Sequence, residues 1–221
     1  MFRIACATLF FFLAASWLVA DDKLSVEQYI SAVTKSKETA VGLSSDLVWK
    51  KIRSDRDVQI IMLKGKPVDI NSGSTSLGAE IAGYTEVLKD RAVAKEPLAS
   101  YYYGTITLVL WASLNAIPEL ADSSYVKDTA REALGYIRFA ADAKLSSAMY
   151  GLAMAYKNGY GVAKSNLAAA DWLTKTVGQN IADGDRESAL SNVEEALQLV
   201  PDFPAAWKLR AELLGTSGGN N

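Results

Sequence analysis

The sequence predicts an all-α fold built as a short stack of antiparallel helix pairs. Three observations carry this. From Ala79 onward, apolar residues recur at helical spacing in segment after segment. Short breaks containing Gly, Pro or Ser separate those segments. Some segments also match one another at fixed offsets, the mark of a repeat architecture.

Residues 1–20 read as a signal peptide. Arg3 supplies the positive start, Ile4 to Val19 is mostly apolar and contains Phe10-Phe11-Phe12, and Ala20 precedes Asp21-Asp22. The run is shorter than the roughly 20 apolar residues of a spanning helix, so no stable membrane span is expected after cleavage. Cleavage after Ala20 and after Ser16 both remain open, because Leu18 sits where the first site prefers a small residue. The one cysteine, Cys6, lies inside this segment, so the mature chain would carry no thiol. The expected location is the periplasm, with secretion as the alternative.

Residues 21–95 form an N-terminal helical region with an irregular insert. Leu24 to Ala40 carries Val26, Tyr29, Ile30 and Val33 on a helical stripe, and Ser25 with Gln28 has the form of a capping box. Leu43 to Ile52 is a second helix, capped by Ser44 or Ser45. Residues 57–70 place β-branched residues around Lys64-Gly65-Lys66, either as a small hairpin or as a helix end and loop. Pro67 would confine a second strand there to an edge. Asn71 to Gly78 reads as loop and Ala79 to Ala94 as helix.

Residues 96–214 hold the repeated helices. They run Leu98 to Leu114, Tyr125 to Ala143, Ser147 to Lys157, Asn166 to Gln179, Arg186 to Val200 and Pro204 to Leu214, with a break at Ile117-Pro118. Residues 215–221 read as a disordered tail. Within the array, Ala99, Tyr101, Tyr103 and Gly104 match Ala148, Tyr150, Leu152 and Ala153 at a shift of 49 residues. Ala133 and Tyr136 match Ala169 and Trp172 at a shift of 36, so the first pair is longer than the second. Small residues at Gly104, Ala133, Ala153 and Ala169 would let helices approach closely. Tyr136 and Trp172 would then fill the space between neighbouring pairs, because one pair alone cannot bury its apolar face.

The unit from Ala148 to Trp172 resembles a Sel-one-like repeat, a relative of the tetratricopeptide repeat. The resemblance rests on Ala148, Leu152, Tyr156, Gly159, Gly161, Val162, Ala169 and Trp172. Ala153 stands where the family usually has Gly, Ala163 where it often has Pro, and Ser165 where it often has Asp. Gly184-Asp185, Ala189, Ala196-Leu197 and Pro201 are similar to the second half of a further unit, and Trp207 and Ala211 to the start of another. The resemblance implies a right-handed superhelical stack, a short α-solenoid. It also implies a protein that acts as adaptor, regulator or inhibitor by binding another protein. In the bacterial envelope that partner would be an enzyme, a secretion component, a sensor or a toxin. The partner surface is expected on the first helices of the pairs, at Tyr102, Tyr150 and Met154. Trp172 and Trp207 are expected as core between repeats, and Trp49 and Trp111 as core or interface.

Composition narrows the chemistry. Lys and Arg total 23 against 25 Asp and Glu, with no long basic stripe, so nucleic acid is not an expected partner. The chain has no histidine, which excludes a Ser-His-Asp triad and imidazole-bound zinc. Gly159-x-Gly161 followed by Lys164-Ser165 lacks the spacing of a phosphate loop and follows a helix rather than a strand. No cofactor, metal or catalytic residue is expected. Consecutive helical residues point about 100° apart, so Tyr101, Tyr102 and Tyr103 cannot share one core; Tyr102 is the one expected at the surface. Glu194-Glu195 reads as an exposed helix face. The alternative function is an envelope polysaccharide or cell-wall hydrolase using carboxylates. Asp55 and Asp57 would be its candidates, against a reading of the same residues as a solvated charge run with Arg53 and Arg56. A narrower form of the binding reading is an immunity protein that neutralises one toxin.

Overall fold

A computed structural model describes residues 25–53 and 75–215. The signal-peptide reading, the 57–70 alternatives, the Asp55–Asp57 pair and the tail beyond Gly215 lie outside the described residues. Among the described residues the chain is all α-helix: α1 (Val26–Val41), α2 (Ser45–Arg53), α3 (Thr75–Val93), α4 (Pro97–Asn115), α5 (Pro118–Ala121), α6 (Ser124–Asp142), α7 (Ser146–Asn158), α8 (Asn166–Ala182), α9 (Arg186–Leu199) and α10 (Pro204–Gly215). They pack in sequence as a helical stack, each against its neighbours. Helix α3 begins at Thr75, so residues 75–78 are helical rather than loop. The first turn of a helix needs no apolar residue, and periodicity therefore misses it.

Local chemistry sets the helix starts. Ser25 and Gln28 close a reciprocal capping box on α1. Ser44, Ser123, Ser165 and Asp185 each accept a hydrogen bond from a backbone N–H three residues on, which starts α2, α6, α8 and α9. Arg91 closes the turn from α1 to α2. Its guanidinium donates to the Val41 and Leu43 carbonyls and to Ser45 Oγ, at 3.0, 2.5 and 3.0 Å. Carbonyls left without helical partners at the end of α1 are thereby satisfied.

The N-terminal helices differ from the rest in direction. Tyr29, Val33, Ala79 and Ala82 share a core cluster, and Lys37 pairs with Asp90 at 2.7 Å. Low numbers meet low numbers, so α1 and α3 run parallel, with α2 antiparallel beside them. From α4 onward the pairs are antiparallel. Gly104 of α4 meets Ile137 and Ala133 of α6. Ser146 at the start of α7 donates to Asp183 just beyond α8, at 2.7 Å. Glu194 of α9 binds Arg210 of α10. Each close approach has a small residue. At Gly104 an added Cβ would lie 2.7 Å from Ile137 Cγ1 and 2.8 Å from the Ala133 carbonyl. Ala133, Ala153 and Ala169 are fully buried.

One turn recurs between units. Lys95, Lys144 and Gly184 all have positive φ, of 67, 69 and 79°. Each N–H bonds to the carbonyl three residues back, and the next N–H reaches five residues back. These turns lead into α4, α7 and α9. Lys95 and Lys144 are 49 residues apart, the same shift as the helix motif. A non-glycine residue held left-handed costs about 1 kcal/mol. Lys144→Gly should therefore raise stability by about 1 kcal/mol, read as a higher urea midpoint at unchanged slope.

The core is a chain of clusters. One centres on Trp49, Ile52, Leu88 and Tyr103, a second on Leu134, Ile137 and Leu152, a third on Leu173, Val193 and Leu213. Trp172 packs against both the second and the third. Trp207 departs from expectation: it is half-exposed rather than core, with its indole N–H donating to the Pro201 carbonyl at 2.8 Å. Helix α10 is the last described helix, and no helix in the described residues covers that side of it.

Candidate functional site

Three successive tyrosines on α4 go three ways. Tyr101 lies against Gly151 of α7, where an added Cβ would come 3.4 Å from its ring. Tyr102 stacks on Trp49 of α2, with ring centroids 4.9 Å apart and planes 13° from parallel. Tyr103 meets Tyr136 of α6 edge-on at 5.0 Å. Helix α4 is flanked on several sides, so a residue that its own sequence leaves outward-facing is covered by α2. This corrects Tyr102 as a partner residue. It is 8% exposed, and its hydroxyl donates to Asp46 Oδ1 at 2.8 Å. Burial and that bond push its ionisation well above the ordinary phenol range.

Tyr150 and Met154 remain on an accessible face of α7. The buried side of that helix is Ala148, Met149, Leu152, Ala153 and Ala155. The other side carries Tyr150, Gly151 and Met154 at helical spacing, with Tyr150 39% exposed and Met154 half-buried. Tyr150 reaches Glu195 Oε2 of α9 at 3.4 Å, and Lys157 binds Glu195 Oε1 at 2.6 Å. Helix α7 thus lies between α4 on one side and α9 on the other. The bond to Glu195 raises the Lys157 ionisation. Burial, then the Glu195 charge, raises that of Tyr150. The Glu194-Glu195 pair is therefore not a free solvated face: Glu195 ties α7 to α9, and Glu194 ties α9 to Arg210 of α10.

Charge is distributed unevenly around the stack. Pro97 to Pro118 contains no charged residue, nor does Leu145 to Tyr156. By contrast α6 alone carries Lys127, Asp128, Arg131, Glu132, Arg138 and Asp142. Helices α4 and α7 therefore offer an almost uncharged face on which Tyr101 and Tyr150 stay partly accessible. At its far end Tyr160, 44% exposed, lies 6.4 Å from the half-buried Trp111.

The joint at the end of α7 holds this face in place. Gly159 has φ 77° and closes the helix with its N–H on the Ala155 carbonyl. Gly161 has φ 67° and sits so close to the preceding pair that an added Cβ would lie 3.0 Å from Ala130 Cβ and 3.2 Å from Leu134 Cδ1. Val162 packs beside them, and the Ser165 N–H bonds to the Tyr156 carbonyl at 2.9 Å. Both glycines serve the joint, and the Lys164-Ser165 sequence after them is the start of α8. Ala189 and Ala196 are buried in α9, while Pro201 is exposed in the turn after it.

Among the described residues no group of three His, Cys, Asp or Glu is placed to hold a metal ion, and no helix is long and apolar enough to cross a membrane. Compared with protein-family models, curated proteins and solved structures, the chain matches none.

Proposed function

We propose that this chain is a non-enzymatic binding module, exported to the periplasm, that holds one other protein against the uncharged face of α4 and α7. The single observation that carries this is that face itself. Two adjacent helices of the stack lack charge, apart from Lys157 already paired to Glu195, yet leave Tyr150 and part of Met154 exposed, with Tyr160 exposed in the joint that follows α7. Interface centres are poor in charge and rich in aromatics and methionine. The Sel-one-like resemblance of residues 148–172 supports the same class of function, and the segment at 1–20 supports export. A toxin or envelope enzyme is the kind of partner this reading accommodates.

The test is capture of partners from a cell-envelope extract by the full chain and by Tyr150→Ala/Met154→Ala. The expected result is one protein retained at one-to-one stoichiometry, at least tenfold weaker for the double variant at unchanged Tm. A tenfold loss corresponds to about 1.4 kcal/mol, within reach of a buried tyrosine at an interface. Equal retention by both forms, or retention of glycan alone, would overturn the reading.

A further inference from the structure

We infer that Gly151 sets the specificity of the face proposed above: by lacking a side chain it leaves a hollow that takes one large aliphatic side chain of the partner protein. The inference rests on the binding reading of that face. Gly151 lies inside α7, where glycine is destabilising relative to alanine. Neither the backbone nor the packing of the chain calls for it. Its φ is not positive, unlike that of Gly159, Gly161 and Gly184. An added Cβ would lie 3.4 Å from Tyr101 Cε2 and 3.7 Å from Ile137 Cγ2, both ordinary van der Waals distances. At Gly104 the nearest distances are 2.7 and 2.8 Å, and there the helices themselves exclude a methyl group. Alanine at 151 would thus fit the chain and strengthen the helix.

The hollow has walls. Ile137 and the half-buried Tyr101 ring bound it on one side. Around α7, Met154 falls about 60° and Tyr150 about 100° from Gly151 in the same direction, so those two stand on its other, accessible side. Gly135 and Gly178 are the contrast. Both are exposed on their helices with nothing within 4 Å of an added Cβ, so they bound no hollow.

Tyr101, Ile137, Tyr150 and Met154 are all uncharged. A charged group entering between them would lose water without finding a partner, whereas an aliphatic side chain leaves nothing unpaired. A gap bounded by side chains of two helices is also the shape that receives a single protruding side chain.

The test compares Gly151→Ala with Gly135→Ala, the same change on the exposed side of α6. Both should raise the Tm by about 1–4 °C. The binding probe is the protein that the full chain retains from a cell-envelope extract, purified and titrated against each variant by calorimetry. Gly135→Ala should bind it as the wild type does. Gly151→Ala should bind it roughly tenfold more weakly or worse, the scale of a misfit at the centre of an interface. Shortening one large aliphatic residue of that protein should restore binding to Gly151→Ala. A lowered Tm in Gly151→Ala would overturn the inference, because glycine would then serve the chain's own packing. So would wild-type affinity in Gly151→Ala; if Tyr150→Ala/Met154→Ala still loses the partner, the binding reading stands without it. Full affinity in that double variant as well, or an extract from which no protein is retained, would overturn both.

Discussion

Gly104→Ala is expected to lower stability by about 2 kcal/mol, although alanine is the better helix former. In an open helix position the same change gains about 0.5–1 kcal/mol. Gly135 on α6 is such a position: it is exposed, with nothing within 4 Å of an added Cβ, so Gly135→Ala should raise stability by that amount. At Gly104 the added carbon would sit 2.8 Å from a backbone carbonyl, of Ala133, and 2.7 Å from Ile137 Cγ1. A carbonyl inside a helix cannot swing aside, so α4 and α6 must separate. Separation thins the contacts along the most extensively packed helix pair of the fold. Urea titrations of the two variants should move the midpoint in opposite directions at similar slope. A neutral Gly104→Ala would mean that α4 and α6 are not in close contact.

Tyr102→Ala should cost about 3–5 kcal/mol, as for other buried aromatics, and Tyr102→Phe about 1 kcal/mol. The first change removes the ring stacked on Trp49 and the bond to Asp46 together. The second keeps the ring and removes only the bond. Since whole domains are stable by about 5–15 kcal/mol, the alanine variant loses a large fraction of the total. A tyrosine at an open binding surface would instead cost within about 0.5 kcal/mol on replacement. Thermal melts followed by circular dichroism separate the two cases. A Tyr102→Ala protein that melts like the wild type would return Tyr102 to the surface.

What the sequence made legible is what neighbouring residues decide. Ser25 and Gln28 are three apart, and their reciprocal bonds could be read directly. The αL glycine at 159 and the cap at Ser165 are equally local. The small residue at Gly104 was visible because it recurs as Ala153. Tyr102 was misplaced because its cover, Trp49 and Asp46, lies more than fifty residues away, across an insert with no helical pattern. The bond from Lys157 to Glu195 spans 38 positions, so Glu195 looked solvated. Trp207 fitted a repeat position, but being core there requires a further helix, and none is present among the described residues. Lys95 and Lys144 concealed the recurring turn, because left-handed backbone is usually read from glycine.

The seat of Gly161 also makes one joint of the stack depend on the pair before it. Its neighbours, Leu108, Ala130 and Leu134, belong to α4 and α6, so the surface it fits is made jointly by those two helices. A change that parts α4 from α6 therefore loosens the joint between α7 and α8 as well, although it lies in the next unit of the stack.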